Sequence, residues 1–194
     1  MKRLFPACML ICLLCSASFL QAQSNITVTN SLADQVLRGN YSPALFAATN
    51  VVDQPDSLTR GVQDRISPDS LLSYLEALTG FGNRNTGSDT VSSTWGIGAA
   101  RRWAHAKFAD ISARNENRLL VGYLQFDRNI CSMTQHRNVM AVLPGSDSTT
   151  DGFILMEAHM DSRCDVPCGG GCNAQGADDN GSGSALVLEL ARVL

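Results

Sequence analysis

The run "GFILMEAHMD", residues 152–161, limits the fold more than any other stretch of this 194-residue chain. It is almost continuously apolar from Phe153 to Met156, whereas a strand with one wet face alternates apolar and polar side chains. A short run of this kind suits a strand covered on both faces, as in a layered α/β sheet. The segments after it agree. A loop over residues 162–176, rich in glycine and holding Cys164, Cys168 and Cys172, leads through "GADDNGSG" into "SALVLELARVL". That last segment is apolar almost all round, relieved by Glu189 and Arg192, and a helix without a polar face must be buried.

Upstream, "ISPDSLLSYLEALTGFG" carries helix start and stop signals: Ser67 as N-cap, Pro68 at the first helical position, and Gly80 just past the end. Leu71, Leu75 and Leu78 then share a face. A second helix is expected over about 94–112, where Ala100, Ala104, Phe108 and Ile111 recur at helical spacing beside Trp103, with Arg101, Arg102 and Lys107 as a solvated face. Two more strand candidates, "RLLVGYLQF" and "RNVMAVLPG", precede residue 152. His105 and His136 are read as structural or surface residues. Residues 24–66 are polar and lack clear periodicity, and are read as a leader that packs on the domain.

The first residues are not read as part of that domain. Lys2 and Arg3 precede the apolar run "LFPACMLICLLCSASFL", and "QAQS" follows it. A basic start, a hydrophobic core and a small-residue exit mark an export signal over residues 1–23. The core is shorter than the roughly 20 residues that span a bilayer, so no stable membrane insertion is expected after cleavage. Removing Lys2 and Arg3 from the 15 basic residues leaves 13 against 18 acids, a net charge of −5. Without a basic patch there is no electrostatic reason to expect a nucleic-acid partner. Export, to a periplasmic or extracellular location, would put Cys131, Cys164, Cys168 and Cys172 where disulfides form. Four cysteines allow three pairings, and spacing does not choose among them.

Two pieces carry the chemistry. In a strand, His159 and Asp161 point to the same face, and a carboxylate beside an imidazole can accept its ring N–H and raise the basicity of the other nitrogen. Asp178 and Asp179 are adjacent like charges just before a helix. Capping is a real alternative for "DDNGSG", since Asp, Asn and Ser all cap helices. A helix-loop-helix calcium site is excluded by the missing alternate acids and terminal Glu. A dinucleotide fingerprint is excluded by Leu186 at its third small position and by the lack of an immediately preceding strand.

Together, "AHMDS" and "GADDNGSGSA" resemble the first metal-binding half of the exported bacterial zinc aminopeptidases with two co-catalytic zinc ions, a family that includes glutamate carboxypeptidase-like enzymes. "LTGFGNRNTGSD", "GIGAARRW" and "RNVMAVLPG" are similar to upstream segments of that family, so the likeness covers residues 67–194. It implies a three-layer α/β/α sandwich around a mixed, centrally parallel sheet, incomplete at the C-terminus. It implies that His159 and Asp178 bind zinc, Asp178 bridging two ions, and that Asp161 acts behind His159 as the catalytic orienter. Asp179 would follow a cis peptide bond that turns Asp178 to the metals, with Gly181 and Gly183 letting the backbone pass close by. The function implied is hydrolysis of N-terminal residues from peptides by a metal-activated water, with a Glu as general base.

The family's Glu-Glu pair, further Asp and late His have no counterpart after Asp179, where the chain has Glu189 alone. Residues 67–194 are therefore expected to be a partial zinc peptidase domain, cut inside a helix and inactive alone. A non-catalytic peptidase-like binding or receptor module is the alternative. A structural exported module that uses its acids only as caps is a third.

Overall fold

A computed structural model of the chain describes residues 25–146 and 152–194. The expected export signal lies outside the described residues. Among those described, no helix is long and apolar enough to cross a membrane.

The helix at residue 68 forms where its signals place it. Ser67 Oγ accepts from the amide of Ser70 at 3.2 Å, which satisfies one of the free donors at a helix start. Helix α3, Pro68–Gly80, follows, after shorter helices α1 (Ser31–Leu37) and α2 (Pro55–Arg65). Helix α4 covers Gly96–Arg114 and α5 covers Ser182–Val193. Tyr74 of α3, Phe108 and Ile111 of α4, and Ala185 and Leu188 of α5 form the core, flanked by Leu71, Leu75, Trp103, Val121, Val139 and Ala141. Each large apolar side chain buried this way contributes about 1.5–3 kcal/mol.

The sheet differs from expectation. Strands β1 (Thr27–Val28), β2 (Leu120–Ile130) and β3 (Met133–Val142) form one three-stranded antiparallel sheet in the order β1-β2-β3. The centrally parallel arrangement is not found among the described residues. The reason is local: β2 and β3 are joined through Cys131 and Ser132, both at positive φ (54° and 62°), and so short a link can only join antiparallel strands. Helices do lie on both faces, in keeping with a layered α/β class. Helix α4 packs on the face that carries Tyr123, where His105 stacks on its ring at 4.8 Å. Helix α1 packs against β2 and β3, with Asn30 at its start set against Gly122.

The leader segment is more ordered than its composition suggests. Asn30 Oδ1 caps α1 by accepting from Leu32 and Ala33, while its Nδ2 donates to the Val121 carbonyl at 3.0 Å. One side chain thus starts a helix and ties it to the sheet.

The third strand candidate is not a strand here. Residues 152–161 pair with no other strand, and Phe153, Ile154 and Leu155 are 81%, 91% and 68% exposed. An apolar run forms a strand only where neighbouring chains take up its backbone hydrogen bonds. Among the described residues, no strand pairs with it.

Candidate metal centre

The site stands on a buried polar frame. Asn83, Arg84 and Asn85, which join α3 to α4, are 0%, 0% and 5% exposed. Asn83 pairs in parallel with Ala174, and its Nδ2 donates to the Gly169 and Cys172 carbonyls at 2.9 and 2.8 Å. Arg84 donates from Nε to Met160 O at 2.8 Å, from Nη1 to Leu78 O and Gln175 O at 2.7 and 2.6 Å, and from Nη2 to Gly176 O at 2.9 Å. Ser162 accepts from the Arg84 amide at 3.0 Å and donates to Ala174 O at 2.5 Å. Burial lowers the Arg84 pKa, opposed by the nearby negative charge of Asp161. Each of these carbonyls left bare would cost about 1–3 kcal/mol.

Two disulfides close the loop that runs between the two halves of the site. Cys131 at the hairpin turn pairs with Cys168, and Cys164 pairs with Cys172. Their Cα separations of 5.1 and 6.6 Å fall in the usual range of about 4.4–6.8 Å. The structure thus picks one of the three pairings that spacing left open.

On this frame, His159 and Asp161 meet although their segment is not a strand: His159 Nδ1 is 3.2 Å from Asp161 Oδ1. The second contact falls on the neighbouring acid of the pair. His159 Nε2 faces Oδ1 of Asp179 at 3.0 Å, and Asp178, expected as the metal ligand, is an exposed residue with no ion pair to His159. The irregular turn Ala177–Gly181 sets this register, since Asp179 and Asn180 have non-helical backbone angles. The cis peptide bond is Asp179–Asn180, one residue later than the resemblance implied.

Gly181 and Gly183 are both tightly surrounded within the turn. A Cβ at Gly181 would lie 2.9 Å from Gly176 O, and one at Gly183 would run into the Asn180 side chain. Gly176, which the sequence reading passed over, is tight as well. Its φ of +49° favours glycine, and a Cβ there would lie 2.5 Å from that of Ser162.

The donor set fits one side of a zinc site. With Nδ1–H directed at Asp161, the lone pair of Nε2 faces a carboxylate oxygen, and two such acceptors repel unless a proton or a cation stands between them. Their 3.0 Å separation is near the about 3.3 Å expected between two ligands of one tetrahedral zinc. The site is open to solvent, with the His159, Asp161 and Asp179 side chains 54%, 46% and 80% exposed. Among the described residues, no group of three or more His, Cys, Asp or Glu is placed to hold a metal.

Other titratable groups lie elsewhere. Glu189 is fully buried, gripped by Arg192 at 2.8 and 2.6 Å and accepting from the Ser67 amide at 2.6 Å. The Arg192 guanidinium holds its carboxyl below the usual carboxylate range, so it serves the fold and not the site. His136 is buried, stacked on Phe126 with Nε2 2.7 Å from the Arg128 carbonyl. Arg101, read as part of a solvated face, is half-buried on α4.

Comparison with known proteins bears on the same segment. Residues 138–194 match the model of peptidase family M28. The chain is 35% identical over 145 residues to a probable zinc metalloprotease of Pyrenophora teres f. teres, covering 72% of this chain and 31% of that protein. It is 34% identical over 160 residues to a probable zinc metalloprotease of Pyricularia oryzae, covering 79% and 32%. It is 30% identical over 167 residues to a probable leucine aminopeptidase of Trichophyton verrucosum, covering 84% and 38%. These relatives are fungal, whereas the sequence resemblance was to bacterial enzymes. The chain spans about a third of the length of the curated relatives it matches. No solved structure gives a significant match.

Proposed function

We propose that this chain is part of an exported zinc-dependent peptidase of family M28, and that the protein removes N-terminal residues from peptides. The observation that carries the reading is the opposition of His159 Nε2 and Asp179 Oδ1 at 3.0 Å with Asp161 behind the ring. The family match over residues 138–194 includes all three residues. Two disulfides on the loop between the site's halves suit an oxidising compartment.

In this reading His159 and Asp179 would hold zinc, and Asp161 would fix the tautomer that leaves Nε2 free to ligate. Asp179 would also take the role toward a second ion that the resemblance gave to Asp178. Bound zinc supplies a Lewis acid and a water of lowered pKa. This chain's residues orient the ligands and shape the backbone around them. The general base is not assigned to any of them, because Glu189 is committed to Arg192 and Ser67.

The test is zinc content and peptide hydrolysis by the full-length protein. Asp179→Ala loses zinc and activity, and Asp178→Ala keeps most of its zinc. The opposite ranking would return the ligand role to Asp178. A zinc-loaded protein that released no N-terminal residue from a broad peptide panel would favour the non-catalytic binding module.

A further inference from the structure

The segment "LTGFGNRNTGSD", similar to a family segment, contributes neither His159 nor Asp179 to the proposed zinc site. We infer that Arg84 is a positioning residue that sets the spacing between His159 and Asp179 by clamping the backbone on both sides of the site. The inference rests on the proposed zinc site and goes beyond it, since Arg84 touches neither ligand.

The bonding pattern carries the argument. Met160 lies between His159 and Asp161, and Arg84 Nε holds its carbonyl at 2.8 Å. Gln175 and Gly176 begin the turn that presents Asp179, and Nη1 and Nη2 hold their carbonyls at 2.6 and 2.9 Å. A fourth bond, to Leu78 O at 2.7 Å, fixes the guanidinium to the end of α3, where carbonyl dipoles favour a cation. One planar group therefore joins the histidine-bearing segment, the aspartate-bearing turn and the core.

The surroundings leave it little freedom. Arg84 is 0% exposed. Its own amide and carbonyl are both bonded to Ser162, at 3.0 and 3.3 Å. A Cβ at Gly176 would lie 3.2 Å from Nη2, so the turn is seated against the guanidinium. Lysine cannot substitute for it. A single ammonium lacks the rigid fork that reaches carbonyls on two segments at once.

The experiment measures zinc affinity by competition with a chelating indicator, and the visible absorption of the cobalt(II)-substituted site, in the full-length protein. Near-ultraviolet circular dichroism reports folding. Arg84→Lys is expected to stay folded, to weaken zinc binding by about 10–100-fold, as is usual for residues that orient ligands, and to shift the cobalt bands. Ser162→Ala, which removes the hydroxyl between Arg84 and Ala174, is expected to move both readouts in the same direction by less. A folded Arg84→Lys protein with wild-type affinity and spectrum overturns the inference. So does an Arg84→Lys protein that fails to fold while Ser162→Ala binds zinc like the wild type, because Arg84 would then serve folding alone. A wild-type protein that binds no zinc overturns the metal reading itself, a separate failure.

Discussion

Two segments of this chain look equally destined for burial, and they fare oppositely. Helix α5 buries Ala185, Leu188, Val193 and even Glu189, while Phe153, Ile154 and Leu155 stand in solvent. Apolarity does not separate them; hydrogen bonding does. A helix pairs its own backbone groups and needs only a surface to lie on, which α3 and α4 supply. A strand needs neighbours for its backbone as well as cover for its side chains. Burial read from sequence is thus a statement about partners as much as about residues.

The contrast can be broken by mutation, beginning with the largest effect. Leu188→Ala is expected to cost about 2–5 kcal/mol of stability, measured by denaturant unfolding. A cost below 1 kcal/mol would show that α5 is not held by its core contacts. Glu189→Gln is expected to cost about 1–3 kcal/mol by weakening the bonds to Arg192 and Ser67. It also carries a pH signature. The folded pKa of Glu189 is lowered, so the stability it contributes is full above the ordinary carboxylate value of 4.5 and is lost as pH falls through the lower folded value. The Gln variant should lack that share of the acid-side loss, and an unchanged acid limb would dissociate Glu189 from it.

Smaller effects follow. Ser67→Ala removes the cap of α3 and should cost about 1 kcal/mol, read as a lowered unfolding midpoint. Ile154→Ala should change the stability of this chain by no more than about 0.5 kcal/mol. A loss of 2 kcal/mol there would mean that the segment is covered after all, and the contrast with α5 would collapse.

Local chemistry was legible wherever a short stretch determines its own structure. Ser67 and Pro68 announce α3, helical spacing announces α4, and the apolar stretch after Gly183 announces α5. That His159 and the Asp-Asp turn belong to one site was suggested by the family resemblance of the two motifs, not by their spacing. What the residues did not disclose depends on contacts distant in sequence or on backbone angles. Cys131 and Ser132 adopt positive φ without the Gly or Asn that usually advertises a hairpin. Asn30 looks like any polar residue until Val121 is beside it. Whether Asp178 or Asp179 faces His159 turns on the angles of the Ala177–Gly181 turn, which composition leaves free. Arg84 hides in a turn-like string because its partners lie as far as 92 residues away.

The pairing of Cys131 with Cys168 makes the hairpin tip and the site loop a single mechanical linkage. The loop that joins His159 to Asp179 cannot swing as an independent flap, because outward travel at Cys168 must drag the turn between β2 and β3 with it. Opening of this approach is a motion of both elements or of neither.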